Sequence, residues 1–115
     1  MADCLFCKIV AGEIPAAIVK RSSEVLAFRD IDARAPVHVL VIPTKHVAAV
    51  RDAKGQEGER LLGRLLAFAA ELATEQGLDA DGYRVVTNTG KNAGQSVDHL
   101  HLHVLGGRKL SWPPG

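Results

Sequence analysis

Apolar residues repeat along this chain with two different periods, and each change of period marks the border of an element. Over 59–76, Leu61, Leu62, Leu65, Leu66, Ala69, Leu72 and Ala73 recur at steps of three and four, with Arg60, Arg64, Glu71 and Glu75 off the stripe. That spacing predicts one long helix with a single apolar face, stopped at Gly77. Elsewhere the pattern alternates. It predicts strands over 17–20, 25–30 and 38–42, broken by Arg21-Ser22-Ser23 and Ala35-Pro36, and a further strand over 83–88. Ahead of them, Cys4-Leu5-Phe6-Cys7-Lys8-Ile9-Val10 is a short apolar turn or helix limited by Gly12 and Pro15, and the charged stretch 51–58 reads as a loop or ragged helix start. Strands, one long helix and strands again describe an α+β fold on a mostly antiparallel sheet, with 1–115 as one domain.

The last alternating stretch carries the chemistry. In Asp98-His99-Leu100-His101-Leu102-His103-Val104, three of the five histidines share one strand face while Leu100, Leu102 and Val104 take the other. With a rise of about 3.3 Å per residue, neighbouring imidazoles lie roughly 7 Å apart, close enough to act on one small group. Exposed strand faces favour Thr, Lys or Glu, so a merely solvated row of histidines is the weaker explanation. Two chemistries fit: a three-histidine metal centre with a water in its open position, or a histidine nucleophile attacking phosphorus among groups that neutralise its oxygens. The preceding run, Asn88-Thr89-Gly90-Lys91-Asn92-Ala93-Gly94-Gln95-Ser96, favours the second. It is small, glycine-rich and rich in donors, the composition of a loop whose backbone N–H groups approach an anion.

Other polar residues keep more than one reading. Cys4 and Cys7 are a redox pair, half of a metal site or two small hydrophobes. The redox reading wants a preceding strand, which the pattern lacks, whereas the metal reading needs two further ligands and His46 and His99 are available. Asp30, at a strand end, either caps the next turn or binds a ligand, and His38 is either a satisfied core histidine or a site group.

The run from Gly94 to Gly107, with its His-x-His-x-His core, resembles the motif of the histidine triad family of nucleotide hydrolases and transferases. The ending Gly106-Gly107-Arg108-Lys109-Leu110-Ser111-Trp112-Pro113-Pro114-Gly115 is similar to that of the histidine triad nucleotide-binding branch, whose members are purine nucleoside phosphoramidases. Glu13-Ile14-Pro15, Ala27-Phe28, Asp30-Ile31, Ala35-Pro36, His38 and Val41-Ile42-Pro43 also fall in the family pattern, so the likeness covers nearly the whole chain.

The resemblance implies a five-stranded sheet, a short N-terminal helix beside the long one, and a two-fold homodimer. It implies that His101 attacks the α-phosphorus of a purine nucleoside 5'-phosphoramidate or an acyl-adenylate. A nucleotidyl-histidine forms, an amine leaves, and water then frees the nucleoside monophosphate. His103, Asn88, Ser96 and the backbone of Gly94 and Gln95 hold the phosphate oxygens, and Ser96 also reaches the leaving nitrogen. The carbonyl of His99 fixes the nucleophile's tautomer, and His38 supports the triad. Asp30 takes the ribose hydroxyls, Phe28 and Ile31 line the base pocket, and Trp112 crosses to the leaving-group side of the other subunit's site. Bacterial members imply a structural zinc on Cys4, Cys7, His46 and His99, and no catalytic metal is implied. Two alternatives stay open: a dinucleoside polyphosphate hydrolase of the same family, and a zinc-stabilised nucleotide-binding or interaction module without turnover. Asp98 and Arg29 depart from the family pattern and bear on substrate preference.

Composition narrows the partners. At 115 residues and 47% hydrophobic, the chain supports one core, burying about two-thirds of its unfolded surface. A net charge of +1 with scattered Lys and Arg argues against a long nucleic acid as partner. Met1-Ala2-Asp3-Cys4 opens no basic-then-apolar leader and no run reaches membrane-spanning length, so the expectation is a cytoplasmic protein off the membrane.

Overall fold

The computed structural model describes residues 3–115. The elements follow as α1 (Leu5–Val10), β1 (Ile18–Arg21), β2 (Val25–Arg29), β3 (Val37–Pro43), α2 (Gly55–Glu75), β4 (Tyr83–Val86) and β5 (Leu102–Gly106). All five strands join one antiparallel sheet in the order β1-β2-β3-β5-β4. This is the α+β architecture that the two periods predict. Among the described residues no helix is long and apolar enough to cross a membrane.

β2 and β3 are apolar at nearly every position because both of their faces are covered. Val25, Ala27, Val39 and Val41 face α2, packing with Leu61, Leu65, Phe68, Ala69, Leu72 and Ala73. Leu26, Phe28, Leu40 and Ile42 face the other way, onto Phe6 and Ile9 of α1. The short N-terminal helix is therefore the lid of a second, smaller core, and the site lies along its edge. Leu66, counted in the apolar stripe of α2, is 55% exposed, since it sits where the stripe turns off the sheet.

Two borders differ from the pattern. α2 starts at Gly55, one turn before the stripe begins, because its first turn meets backbone rather than a hydrophobic layer. A Cβ on Gly58 would lie 2.2 Å from the carbonyl carbon of Ala53, so the close approach there demands glycine. β5 starts only at Leu102. His99 and His101 precede it in a lead-in held by the Leu100 N–H, which donates to the Val47 carbonyl at 2.6 Å instead of to a strand partner. The alternation survives this: Leu100, Leu102 and Val104 all enter the core under α2, and the histidines point to the α1 side.

Gly58 and Gly63 give this packing a direct test on one helix. Gly58→Ala is expected to destabilise the fold by about 1–3 kcal/mol through overpacking. Gly63→Ala, whose new methyl meets nothing within 4 Å, is expected to stabilise it by up to about 1 kcal/mol through helix propensity. Urea unfolding midpoints of the two variants measure both signs.

Candidate functional site

The donor-rich loop is built by glycine geometry and one amide. Gly90 and Gly94, at φ +83° and +78°, flank a 3-10 turn over Lys91–Ala93, a backbone course that other residues rarely follow. The Gln95 side chain then staples the loop. Its Oε1 accepts from Gly90 N–H at 2.9 Å, and its Nε2 donates to the carbonyls of Ala48 at 2.8 Å and Val97 at 3.1 Å. The backbone of the loop is closed on itself as well: Gln95 N–H donates to the Gly90 carbonyl and Gly94 N–H to the Lys91 carbonyl, each at 3.1 Å.

His101 is 5% exposed and held at both ends. Its Nδ1–H donates to the His99 carbonyl at 2.7 Å, which leaves a lone pair on Nε2. Thr87 Oγ1 donates to the His101 carbonyl at 2.9 Å, and the Phe6 ring stands edge-on at 5.1 Å. A buried imidazole with its tautomer fixed and its free lone pair beside a cavity can act as a nucleophile.

His103 and His38 form a second pair, with Nδ1 of His103 2.9 Å from Nε2 of His38. The Arg34 backbone N–H, which can only donate, lies 3.0 Å from Nδ1 of His38, so that atom is the acceptor and Nε2 carries the proton. Asp30 divides its carboxylate: Oδ1 accepts from Asp32 N–H at 2.8 Å, and Oδ2 lies 3.3 Å from His38 Nε2. Asp30 thus caps its turn and also faces the histidines. Asp30, His38 and His103 lie close enough to be considered as metal ligands, but the proton on His38 Nε2 makes the cluster a hydrogen-bond relay. Burial, reinforced by the rings of His101 and His38, lowers the pKa of His103 to about 4.

The remaining triad histidine turns elsewhere. His99 is fully buried, and its Nε2–H donates to the Pro43 carbonyl at 2.9 Å, aiming Nδ1 at sulfur. Cys4 Sγ lies 3.3 Å and Cys7 Sγ 3.6 Å from that nitrogen, and Cys7 Sγ lies 3.3 Å from Nδ1 of His46. All four donor atoms fall within 4.8 Å of one another. A tetrahedral ion about 2.3 Å from sulfur and about 2.05 Å from nitrogen needs S···N edges of about 3.5 Å, so the donor set fits. Burial, with the Cys4 sulfur beside it, raises the Cys7 thiol, an opposition to thiolate that a bound cation reverses. The three triad histidines therefore address three different partners and do not converge on one ion.

A cavity of about 270 Å³ joins these parts. Phe28, Ile31, Ile9 and Ile14 give it apolar walls, while Asp30, Ser96, His101 and His103 supply its polar groups. A larger cavity of about 640 Å³ lies across Ser96 and Val97, over Cys4, His46 and Asp98. Asn88 and Gly94 lie on the loop, outside the lining of the smaller cavity, as does Trp112, which is 80% exposed. Arg84 fastens the tail instead, donating to the Ser111 carbonyl at 2.8 Å. Sequence reasoning missed Thr87, Gln95's side chain and the Arg34 N–H; the hydrogen-bonding residue types of Thr87 and Gln95 were the available signal, while a backbone N–H carries none.

The family model for the HIT domain matches residues 11–110. An uncharacterized HIT-like protein of Synechococcus elongatus is 50% identical over 113 residues, covering 98% of this chain and 97% of that protein. Among solved structures, a HIT family hydrolase of Legionella pneumophila superposes with a TM-score of 0.94 at 50% identity, over 98% of this chain and 100% of the other. A histidine triad nucleotide-binding protein of Candida albicans gives 0.82 at 32% identity, over 96% and 83%.

The depressed pKa of His103 fixes a direction for stability against pH. The unfolded chain, with an ordinary histidine near about 6.5, binds the proton that the folded chain refuses down to about 4. Stability is therefore expected to fall as pH drops from 6.5 through 4, by at most about 3 kcal/mol from this residue. Urea midpoints at pH 7 and 4.5, with chelator present throughout, should show a smaller acid loss in His103→Gln than in the wild type.

Proposed function

The chain belongs to the HIT domain family, and from that premise we propose that it is a hydrolase cleaving the P–N bond of purine nucleoside 5'-phosphoramidates, with acyl-adenylates as related substrates. The observation that carries the proposal is the 2.7 Å bond from His101 Nδ1 to the His99 carbonyl, which leaves Nε2 as a nucleophile on a residue lining a largely apolar cavity.

In this reading the purine lies against Phe28 and Ile31 and the ribose diol donates to Asp30, a carboxylate being a fitting acceptor for two hydroxyl donors. Nε2 of His101 bonds to the α-phosphorus as the P–N bond breaks, and Ser96 Oγ supplies hydrogen bonding to the departing nitrogen. The nitrogen takes the Ser96 hydroxyl proton as it leaves as the amine, and the water of the second step returns a proton to Ser96. Water then displaces Nε2, releasing the nucleoside monophosphate and restoring the imidazole. His103, Asn88 and Ser96 stabilise the equatorial oxygens, where preorganised donors contribute most, and the N–H groups of Gly94 and Gln95 join them by exchanging the Lys91 and Gly90 carbonyls for phosphate oxygen. The solved Candida albicans relative is called nucleotide-binding, which supports a nucleotide here.

Zinc is the ion that two thiolates and two imidazoles suit, and Cys4, Cys7, His46 and His99 would hold it in a closed site without open coordination for catalysis. Two such chains pair as a homodimer, which brings Trp112 from one protomer to the leaving-group side of the other's site.

His101→Ala is expected to lower kcat/KM for adenosine 5'-phosphoramidate by at least about 10³-fold, while adenosine monophosphate still binds in calorimetry. Wild-type protein retaining full turnover after exhaustive chelation separates this mechanism from a metal-dependent one. Release of less than one equivalent of nucleoside monophosphate per chain would favour a binding module instead.

Metal loading has its own readout. Zinc restored to chelated protein is expected to raise the melting temperature, because an ion that binds only the folded chain stabilises it by mass action. Cys7→Ser should abolish most of that rise, as followed by calorimetry.

A further inference from the structure

We propose that His38 is a positioning residue that couples occupation of the ribose site at Asp30 to the hydrogen-bonding state of His103. This rests on the reading of Asp30 as the acceptor of the ribose diol. One proton stands between two groups that attract it. His38 is 5% exposed and its Nδ1 is committed to the Arg34 N–H at 3.0 Å, so its single proton is on Nε2. The hydrogen bond runs to His103 Nδ1 at 2.9 Å, while Asp30 Oδ2, 3.3 Å away, attracts the same proton without accepting it in line.

The strength of that bond has consequences across the cavity. A proton directed at His103 Nδ1 makes that nitrogen an acceptor and so places the proton of His103 on Nε2, where it is a donor for a phosphate oxygen. A proton drawn toward Asp30 leaves the tautomer of His103 less firmly fixed. The second oxygen of Asp30 is already occupied by the Asp32 N–H at 2.8 Å, so incoming hydroxyls must compete for Oδ2. A diol donating there weakens the pull of the carboxylate on His38, and the bond from His38 to His103 tightens. No proton changes owner; only the strength of its bond to His103 changes. The low proton affinity of His103 keeps its ring neutral, which is the condition for a tautomer to matter.

The diol should therefore raise kcat as well as lower KM. Adenosine 5'-phosphoramidate and its 2',3'-dideoxy analogue, compared in wild type, should differ at least about fivefold in kcat. In His38→Phe, kcat falls and that ratio collapses toward one, leaving only the KM difference; His38→Gln, whose amide can accept from Arg34 and donate to His103, should restore part of the ratio. An equal kcat ratio in wild type and His38→Phe overturns the coupling.

A second measurement needs no turnover and so stands if the reaction is misassigned. In imidazole ¹⁵N NMR of the wild-type protein, saturating adenosine should shift His38 Nε2 and His103 Nδ1, and 2',3'-dideoxyadenosine should not. Equal shifts from both nucleosides, or none from adenosine, overturn it. A protein that hydrolyses no phosphoramidate yet shows the adenosine-specific shift loses the proposed reaction and keeps the coupling.

Discussion

An imidazole removed from water must still donate its N–H and offer its lone pair, and a buried polar group left unpaired costs about 1–3 kcal/mol. His38, His99 and His101 are all buried, which makes this the constraint on which the site depends. The structure satisfies it mainly with backbone. The carbonyls of His99 and Pro43 and the N–H of Arg34 each take one ring nitrogen, and no buried side-chain nitrogen or oxygen among the described residues lacks a partner. Because backbone groups are rigidly placed by the sheet and its turns, each ring is held in one tautomer and one orientation. The reactive geometry is thus a by-product of how the histidines are made tolerable in a core.

The sheet makes such an arrangement possible by separating two faces. Residues 100, 102 and 104 sink into the core under α2, and that anchoring forces 99, 101 and 103 to the α1 side whether or not the strand ladder has begun. α1 closes the second core and brings its own contribution: Cys4 caps the helix, with its sulfur accepting from Cys7 N–H at 3.3 Å, and Phe6 stands against both His99 and His101. Six residues of helix therefore touch the metal-ligand cluster, the nucleophile and the cavity wall together.

What was legible in the sequence follows from this division. The periods of α2 and of 98–104 declared their elements because periodicity reports which face is buried, and the histidine row was conspicuous because side-chain types carry chemistry. The start of β5 at Leu102 was not legible, since Val47 supplies the partner of Leu100 from a segment far away in sequence. Nor was the early start of α2, where the requirement for Gly58 comes from the Ala53 backbone. Gln95 was read through its backbone, and its side chain proved to be the staple of the loop. Partners that are carbonyls or N–H groups belong to every residue type, so no composition or spacing could announce them.

His99 serves two masters through different atoms. Its carbonyl steadies the nucleophile, while its ring belongs to the sulfur cluster. The carbonyl is present whatever side chain stands at position 99. A lineage could consequently lose or acquire the cluster by changing codons 4, 7, 46 and 99 without rewriting the contact that prepares His101 for reaction. Heritable variation in metal dependence is then open to this fold as a drift of its periphery, with the chemical step shielded because it is written in the main chain.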